Sequence, residues 1–344
     1  MTDAIYSFPA IKGIQAGTEY YISMVPLLTL PRLFMFSDEE LPPHLRAQRI
    51  INKSRIPEMC EYILDNPNSY VFSAITASVD GPISFEPLTS DKECRIGQIS
   101  IPMSARFLIN DGQHRKAAIE SALKKNPMLK YEHISVVLFG DMGLKRSQQI
   151  FSDLNRYAIR PTKSLNILFD QRSDFSTLIC NMADSLTTFK GWVEKERSTI
   201  PNRSKALFTL SGLYHGTQAL LQECSDWDWS KQHNFAFQYW DQVSKYMVDW
   251  QDVINERRKA SDLRKKSVSA HSITLIALGR AGSQLLKDHS ESWSDKLMNL
   301  TKIDWDKSNP VWIGKVVVEG HISGTRSSTQ ALSDYILQIL TKSR

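Results

Sequence analysis

Five consecutive residues, DGQHR at 111–115, combine a carboxylate, an amide, an imidazole and a guanidinium. The Arg115 guanidinium has the planar fork that matches a phosphate group, and the Asp111 carboxylate could hold Mg²⁺ or orient His114. The amides at the start of a helix also attract anions. These residue types indicate a phosphate-binding turn. A helix start with Asp111 as its N-cap and Gly112 in the turn explains them equally well.

The surrounding sequence predicts how this turn is positioned. The apolar run at 106–109 is typical of a strand, and Asn110 marks the start of a turn. The apolar residues of 113–125 recur on one helical face, and a second strand-like run follows at 133–139. Strand, helix and strand in this order predict a right-handed βαβ unit with parallel, neighbouring strands. The turn would then lie at the carboxyl end of the first strand, where open α/β sheets bind ligands.

Longer blocks of the sequence resemble a known protein family. DGQHR followed closely by two alanines resembles the motif of the DGQHR proteins and the box of ParB/sulfiredoxin-like domains. Around it, the blocks at 48–81, 151–174 and 303–320 resemble, in the expected order, the DndB family of DNA phosphorothioation gene clusters. The order of these blocks is more specific than the five-residue motif, and together they cover most of the chain.

The resemblance implies an α+β or α/β protein in two parts. Residues 1–142 would form a ParB/sulfiredoxin-like domain, a mixed sheet with helices that carries the motif. Residues 143–344 would form a mainly helical domain with a short strand at 312–318 and a closing helix at 331–340. Tryptophans within 225–250 are expected in its core, with base stacking as the alternative. An antiparallel arrangement of the two strands beside the motif helix would contradict the ParB-like domain.

In ParB-type domains the corresponding turn binds nucleotide phosphates, so the resemblance implies ATP or another nucleoside triphosphate, with Mg²⁺, as a ligand. The expected nucleotide and phosphate contacts are Gly112, Gln113, His114, Arg115, Asn155 and Arg156. If the nucleotide is hydrolysed, Asp111 and His114 would be catalytic, and Asp111 would hold the metal ion. For Asn155 and Arg156, a packed helix with ordinary surface charges is the competing interpretation.

Composition excludes several classes of protein. The chain has 344 residues and a net charge of +5, which permits nucleic-acid binding without demanding it. No run approaches the roughly 20 apolar residues of a membrane span, and 1–13 lacks the pattern of a signal peptide. The four cysteines are far apart and form no CxxC pair. This argues against a zinc site and predicts a reduced, cytoplasmic protein.

Two basic segments in the second half of the chain are candidates for DNA binding. Segment 256–266 contains six basic and two acidic residues. On a continuous helix, residues seven apart would form a ridge suited to DNA phosphates. The candidates in that segment are Arg257, Arg258, Arg264, Lys265 and Lys266. A loop at 195–205 adds Arg197, Arg203 and Lys205, and Arg46, Arg49 and Arg55 form a third set. Solvated surface charge is the alternative for all of them.

Two classes of function remain open. The resemblance implies a DNA-binding transcriptional regulator that represses its own phosphorothioation gene cluster. Its partners would be duplex promoter DNA and other sulfur-modification proteins, and an oligomer is compatible with this role. The alternative is an ATP- or NTP-hydrolysing component of a DNA-modification system that acts through the DGQHR turn. The two are compatible, because a bound nucleotide could control the affinity for DNA.

Overall fold

The computed structural model describes residues 4–35, 51–91, 93–140, 143–156 and 161–342. Arg46 and Arg49, two of the basic candidates, lie outside these ranges. The chain divides into two compact units, Met1–Ile159 and Arg160–Arg344. The sequence predicts a boundary between residues 142 and 143, so the observed division adds one further helix to the first unit.

The first unit is built on a seven-stranded mixed sheet. Its strands are β1 (Ile5–Gln15), β2 (Thr18–Pro26), β3 (Ile75–Asp80), β4 (Ser84–Pro87), β5 (Ile96–Pro102), β6 (Arg106–Asp111) and β7 (His133–Gly140). Their order in the sheet is β4-β5-β1-β2-β7-β3-β6. Neighbours are antiparallel except for β7 and β3, which are parallel.

In the described part of this unit, the sheet is accompanied by the helices α1 (Leu30–Leu33), α2 (Ile56–Asp65), α3 (Gln113–Lys125) and α4 (Leu144–Arg156). The helix predicted at 113–125 is confirmed as α3. Its buried Ala118, Ile119 and Ala122 share one core with Phe107 of β6. Side chains alternate along a strand, so Asn110 points to the other face, where it contacts α4.

The βαβ prediction is wrong. β6 and β7 lie in one sheet, but β3 separates them, and β6 runs antiparallel to β3 whereas β7 runs parallel to it. β6 and β7 are therefore antiparallel to each other, and the condition set for a ParB-like domain is not met. The physical reason is that Ile75–Asp80 is buried on both faces along nearly its whole length. Such a strand is most stable in the interior of a sheet, and here it takes the interior position between β7 and β6.

The second unit is mainly helical, as predicted. Its helices are α5 (Lys163–Phe169), α6 (Asp174–Ser185), α7 (Leu210–Leu220), α8 (Trp229–Tyr246), α9 (Val248–Ile254), α10 (Ala260–Lys266), α11 (Ser272–Asp288), α12 (Trp293–Lys296) and α13 (Arg326–Thr341). Two short strand pairs are β8 (Val193–Glu194) with β9 (Phe208–Thr209), and β10 (Val317–Val318) with β11 (His321–Ile322). Trp240 and Trp250 are fully buried in its core.

One sequence expectation for this unit changes in detail. The strand predicted at 312–318 is reduced to the two residues of β10, because Trp312 instead anchors a series of turns through its backbone carbonyl. The four cysteines are free thiols, as predicted. Among the helices within the described ranges, none is both long and apolar enough to cross a membrane.

Candidate functional site

The DGQHR turn joins the last residue of β6 to the first residue of α3. Gly112 occupies the N-cap position with a φ of 110°, a conformation that favours glycine. A Cβ at this position would lie 3.0 Å from Ile75 Cγ1, so the packing against β3 is tight as well. Gly112 has no side chain with which to cap the start of α3. The alternative that made Asp111 the N-cap is therefore wrong, because Asp111 is the last residue of the strand.

The Arg115 side chain is held by three acceptors. Its Nη2 atom donates to Asp111 Oδ2 at 2.5 Å, and its Nη1 atom donates to the Ser73 carbonyl at 2.8 Å and to the Ala74 carbonyl. The Arg115 side chain is 14% exposed, whereas that of Asp111 is 44% exposed. The guanidinium fastens the segment before β3 to the motif turn. The fork that the sequence predicts for phosphate is thus largely engaged by the protein.

His114 and Gln113 also bind other parts of the first unit. His114 Nε2 accepts a hydrogen bond from the Asn52 backbone amide at 3.0 Å, so the proton of the neutral ring lies on Nδ1. Gln113 Nε2 donates to the Ile109 carbonyl at 3.4 Å. His114 therefore links the motif turn to the segment that precedes α2, and the motif side chains serve as connections between elements.

A buried polar network adjoins the turn and is not predicted by the sequence. Asn110, fully buried, accepts a hydrogen bond from Ser78 Oγ at 2.9 Å and donates to the Ser147 carbonyl at 3.4 Å. Ser147 Oγ donates to Ser78 Oγ at 3.2 Å. The sequence places Asn110 in the turn, but it lies within β6. One signal was available, since Asn110 directly continues the strand-like run at 106–109.

Asn155 and Arg156 lie at the end of α4, and both are exposed. Asn155 Nδ2 donates to the Phe151 carbonyl of its own helix at 2.8 Å. Ser147, through which α4 contacts the buried network, precedes Asn155 by two turns, or about 12 Å along a helix. The observed contact with the motif strand thus involves the first half of α4. A place for Asn155 and Arg156 on the rim of the turn stays a prediction.

The turn can be compared with the requirements of a nucleotide bound with Mg²⁺. Proteins bind Mg²⁺ through one or two carboxylates together with phosphate oxygens and waters. Asp111 supplies one carboxylate, and Arg115 binds one of its oxygens. In the described part of the chain, no group of three or more His, Cys, Asp or Glu residues could hold a metal ion. A metal ion at Asp111 would therefore compete with Arg115 for that oxygen or bind the other one.

The predicted helical ridge at 256–266 is wrong. α10 spans only Ala260–Lys266, and Arg257 and Arg258 lie in the turn that follows α9. Glu256, in the same turn, has a φ of 58°, which interrupts a helix. Arg257 and Arg258 pair with aspartates of α9 at 3.6 Å and 3.2 Å. The six basic residues of this segment therefore do not share one helical face.

Arg264 has a structural role in place of the predicted phosphate contact. Its Nη2 atom donates to the carbonyls of Pro201, Asn202 and Ser204 at 3.1, 3.1 and 3.0 Å, and its Nη1 atom donates to the Ala206 carbonyl. Burial lowers the pKa of the guanidinium below its usual value. Four backbone carbonyls stabilise its positive charge, and in return Arg264 holds the preceding loop against the last turn of α10.

The backbone of Arg264 is fixed as well. His271 Nε2 and Lys307 Nζ donate to the Arg264 carbonyl at 3.0 Å and 2.9 Å. Burial, together with the nearby Lys307 charge, lowers the pKa of His271 to about 4. The imidazole is therefore neutral at neutral pH and donates from Nε2. Contacts on the backbone and the side chain make Arg264 the centre of a rigid junction.

This junction joins the two predicted basic segments. We call "the basic surface" the exposed side chains of Arg197, Arg203, Lys205, Lys265 and Lys266. Although 62 residues separate Asn202 from Arg264, the Arg264 side chain binds carbonyls on both sides of Arg203. Asn202 and Lys265 line one cavity of about 320 Å³ between the loop and α10. The sequence predicts two separate basic segments, and in the folded chain the loop that carries one packs against the helix that carries the other.

Comparison of the sequence with known protein families identifies a matching family. The sequence profile of DndB, described as DNA-sulfur modification-associated, matches residues 8–343. The chain belongs to the DndB family. Neither a curated protein nor a solved structure gives a significant match. The resemblance predicted from the sequence blocks is confirmed.

The DndB match includes both candidate sites, because the motif turn and the basic surface lie within the matched residues. Membership of the DndB family involves this chain in a DNA sulfur modification system. The two candidate sites differ in how accessible their charged groups are to a ligand. The charged groups of the motif turn bind each other and the backbone, whereas the cations of the basic surface are exposed.

Proposed function

We propose that this DndB protein binds duplex DNA through its basic surface and represses transcription of the sulfur-modification gene cluster to which it belongs. One observation carries the proposal: Arg264 fixes the loop at 195–205 against α10 and so gathers exposed cations in one region. Promoter DNA and other proteins of the sulfur-modification system are the proposed partners, and a cytoplasmic location is proposed with them.

The charge balance favours contacts with phosphate. The segments 195–205 and 256–266 together contain ten basic and three acidic residues. Basic side chains that neutralise DNA phosphates release condensed counterions, which favours binding strongly at low salt. Phosphate contacts position a duplex and carry no base identity. The basic surface therefore supplies affinity for any duplex, and other groups must read the operator sequence.

The salt dependence of duplex binding tests this proposal. If three to five cations of the basic surface contact phosphates, the slope of log K against log salt should be about −3 to −5, since each contact contributes roughly −0.9. The measurement is fluorescence anisotropy of a labelled promoter duplex at several salt concentrations. A scrambled duplex is the control and should give nearly the same slope. Undetectable binding to both duplexes, or a slope near zero, would contradict the proposal.

We propose as a second function that the DGQHR turn binds a nucleoside triphosphate. The favouring observation is that α3 begins at a buried glycine, which has no side chain with which to cap the helix. Its first amides can therefore donate to a phosphate group. If Mg²⁺ accompanies the nucleotide, Asp111 is the residue of the turn that would hold it. If the nucleotide is hydrolysed, His114 and Asp111 are the residues that we propose as catalytic.

A substitution at Arg115 separates a structural role from a binding role. Arg115→Met is expected to lower the free energy of unfolding by about 2–3 kcal/mol, because it leaves two carbonyls and a carboxylate without their donor. Urea denaturation measures this change. Lys124→Met is the matched control, because Lys124 is an exposed lysine on the same helix. It should change stability by less than about 0.5 kcal/mol.

The same variants test the nucleotide site. Loss of ATP binding in Arg115→Met with unchanged stability would show that Arg115 contacts the ligand and that its observed hydrogen bonds contribute little. Loss of stability with ATP affinity retained would make Arg115 a connecting residue only. The absence of ATP binding by the unmodified protein would remove the second function.

A further inference from the structure

A groove in the second unit offers chemistry that duplex binding does not use. Two cavities of about 830 Å³ and 530 Å³ both include Ala219, Gln222 and Arg280 in their walls. We call this connected space the α7–α11 groove. Its first cavity contains aromatic side chains, and its second contains two arginines. The aromatic end suits the base of a nucleotide, and the arginine end suits its phosphate group.

Close packing of α7 and α11 creates the floor of the groove. A Cβ at Gly279 would lie 2.0 Å from the Gly216 carbonyl oxygen, so the two helix backbones are in direct contact. Residues four apart lie on one face of a helix, and each helix presents one such row to the groove. The row on α7 is Tyr214 and Gln218, continued by Gln222 in the short turn after the helix, and the row on α11 is Ile276, Arg280 and Gln284.

The aromatic end suits a nucleobase. Tyr214 packs edge-on against Phe175, with ring centroids 4.8 Å apart, and against His215 at 5.5 Å. These contacts hold the Tyr214 ring while it remains half-exposed in the cavity wall. A fixed and accessible aromatic ring stacks with any base. The amides of Gln218 and Gln222 are donors and acceptors of the kind that pair with base edges.

The arginine end suits a phosphate group. Arg280 Nη1 donates to the neutral amide oxygen of Gln330 at 3.3 Å, a long bond that a phosphate oxygen can replace. Arg326 lines the same cavity, which also contains the carboxylates of Glu223, Asp288 and Asp334. Each carboxylate already accepts a hydrogen bond: Glu223 from Lys287 at 3.5 Å, and each aspartate at 2.8 Å from a glutamine one turn earlier on its own helix.

A buried hydroxyl group gives independent support. Ser283 is 4% exposed and lines the arginine end. Among the buried side chains of the described residues, its Oγ atom has no hydrogen-bond partner. Leaving a buried hydroxyl unpaired is unfavourable. A polar ligand in the groove would supply the missing partner.

We propose that the α7–α11 groove binds a nucleotide unit, with its base against Tyr214 and its phosphate between Arg280 and Arg326. Each cavity lies within the range of roughly 300–1,000 Å³ that is usual for small-ligand sites. A free nucleotide and a single unpaired nucleotide within a nucleic-acid strand present the same chemistry. The site is separate from the basic surface and from the motif turn, so it extends the proposed function.

Calorimetric titration of the full chain with AMP, ATP and a single-stranded decanucleotide tests this site. Tyr214→Leu and Arg280→Gln are each expected to weaken binding by roughly tenfold or more, because one removes the stacking ring and the other a phosphate contact. Tyr214→Phe keeps the ring and should keep the affinity. The matched controls Tyr131→Leu and Arg95→Gln change exposed residues of the first unit and should have no effect.

The outcomes separate this site from the other two. Binding of AMP and ATP identifies a free nucleotide as the ligand, and binding of the oligonucleotide alone identifies a strand. Undetectable binding of all three ligands overturns the proposal. So does binding that survives both groove substitutions, or binding that Arg115→Met abolishes while the protein stays folded. Charge reversal at Lys265 and Lys266 should leave nucleotide binding unchanged even where it abolishes duplex binding.

Discussion

Replacing Arg264 by methionine is expected to lower the free energy of unfolding by about 3 kcal/mol, because hydrogen bonds to a charged donor contribute about 1.5–3 kcal/mol each and are only partly replaced by water here. The substitution keeps most of the apolar stem and removes the donors to four carbonyls of the loop 201–206. For a unit of this size the melting temperature should fall by roughly 6–12 °C. Circular dichroism during thermal unfolding measures the change.

Lys265→Met is the matched control for this substitution. Lys265 is the next residue of α10 and is exposed, so its loss should change stability by less than about 0.5 kcal/mol. The loop should also become sensitive to limited proteolysis in Arg264→Met, since its carbonyls lose their common donor. Equal stability of the two variants would contradict the role of Arg264 as the centre of the junction.

We expect the reversal of three charges of the basic surface to weaken duplex binding by roughly 100- to 1,000-fold at 0.1 M salt. The variant combines Lys205→Glu, Lys265→Glu and Lys266→Glu. Each lost phosphate contact removes about 0.9 from the slope of log K against log salt, so the slope should flatten by about 2–3. The affinity should fall alike for promoter and scrambled duplexes, because phosphates carry no base identity. Anisotropy titrations at several salt concentrations measure both quantities.

A control with the same change in net charge separates local contact from overall repulsion. This control alters three exposed lysines outside the basic surface, in the combined variant Lys124→Glu, Lys125→Glu and Lys302→Glu. It should weaken binding much less and leave the slope nearly unchanged. If both triple variants lose affinity equally, the basic surface is not the interface. Loss of promoter binding alone, with scrambled duplex still bound, would mean that these residues read bases.

Arg264 shows why charge patterns in a sequence predict binding surfaces incompletely. The segment 256–266 is basic whether its side chains face solvent or bind carbonyls of the same chain. Glu256 interrupts the helix, and Arg264 turns towards the loop. The orientation of Arg264 depends on residues that are distant in sequence. The prediction of basic residues near DNA stays a prediction, but the surface to be tested is now defined.

The motif turn was predictable to a greater extent. The strand at 106–109, the helix at 113–125 and the need for glycine at 112 all follow from local patterns, and the structure confirms each of them. The hydrogen-bond partners of Arg115 could not be predicted from local patterns, because the carbonyls of Ser73 and Ala74 lie some forty residues earlier in the chain. The buried network around Asn110 escaped prediction for the same reason.

The family, the strand–helix–strand order around the motif and the helical second half could all be obtained from the amino-acid sequence. Each depends on residue types and on periodicities within a few turns of chain. Three features could be known only from the folded chain. They are the position of β3 between β7 and β6, the contact of the loop 195–205 with α10, and the α7–α11 groove. In each case several long-range pairings satisfy the local preferences equally well. Burial of β3 on both faces, the four acceptors of Arg264, and the contact of Gly216 with Gly279 select one of them.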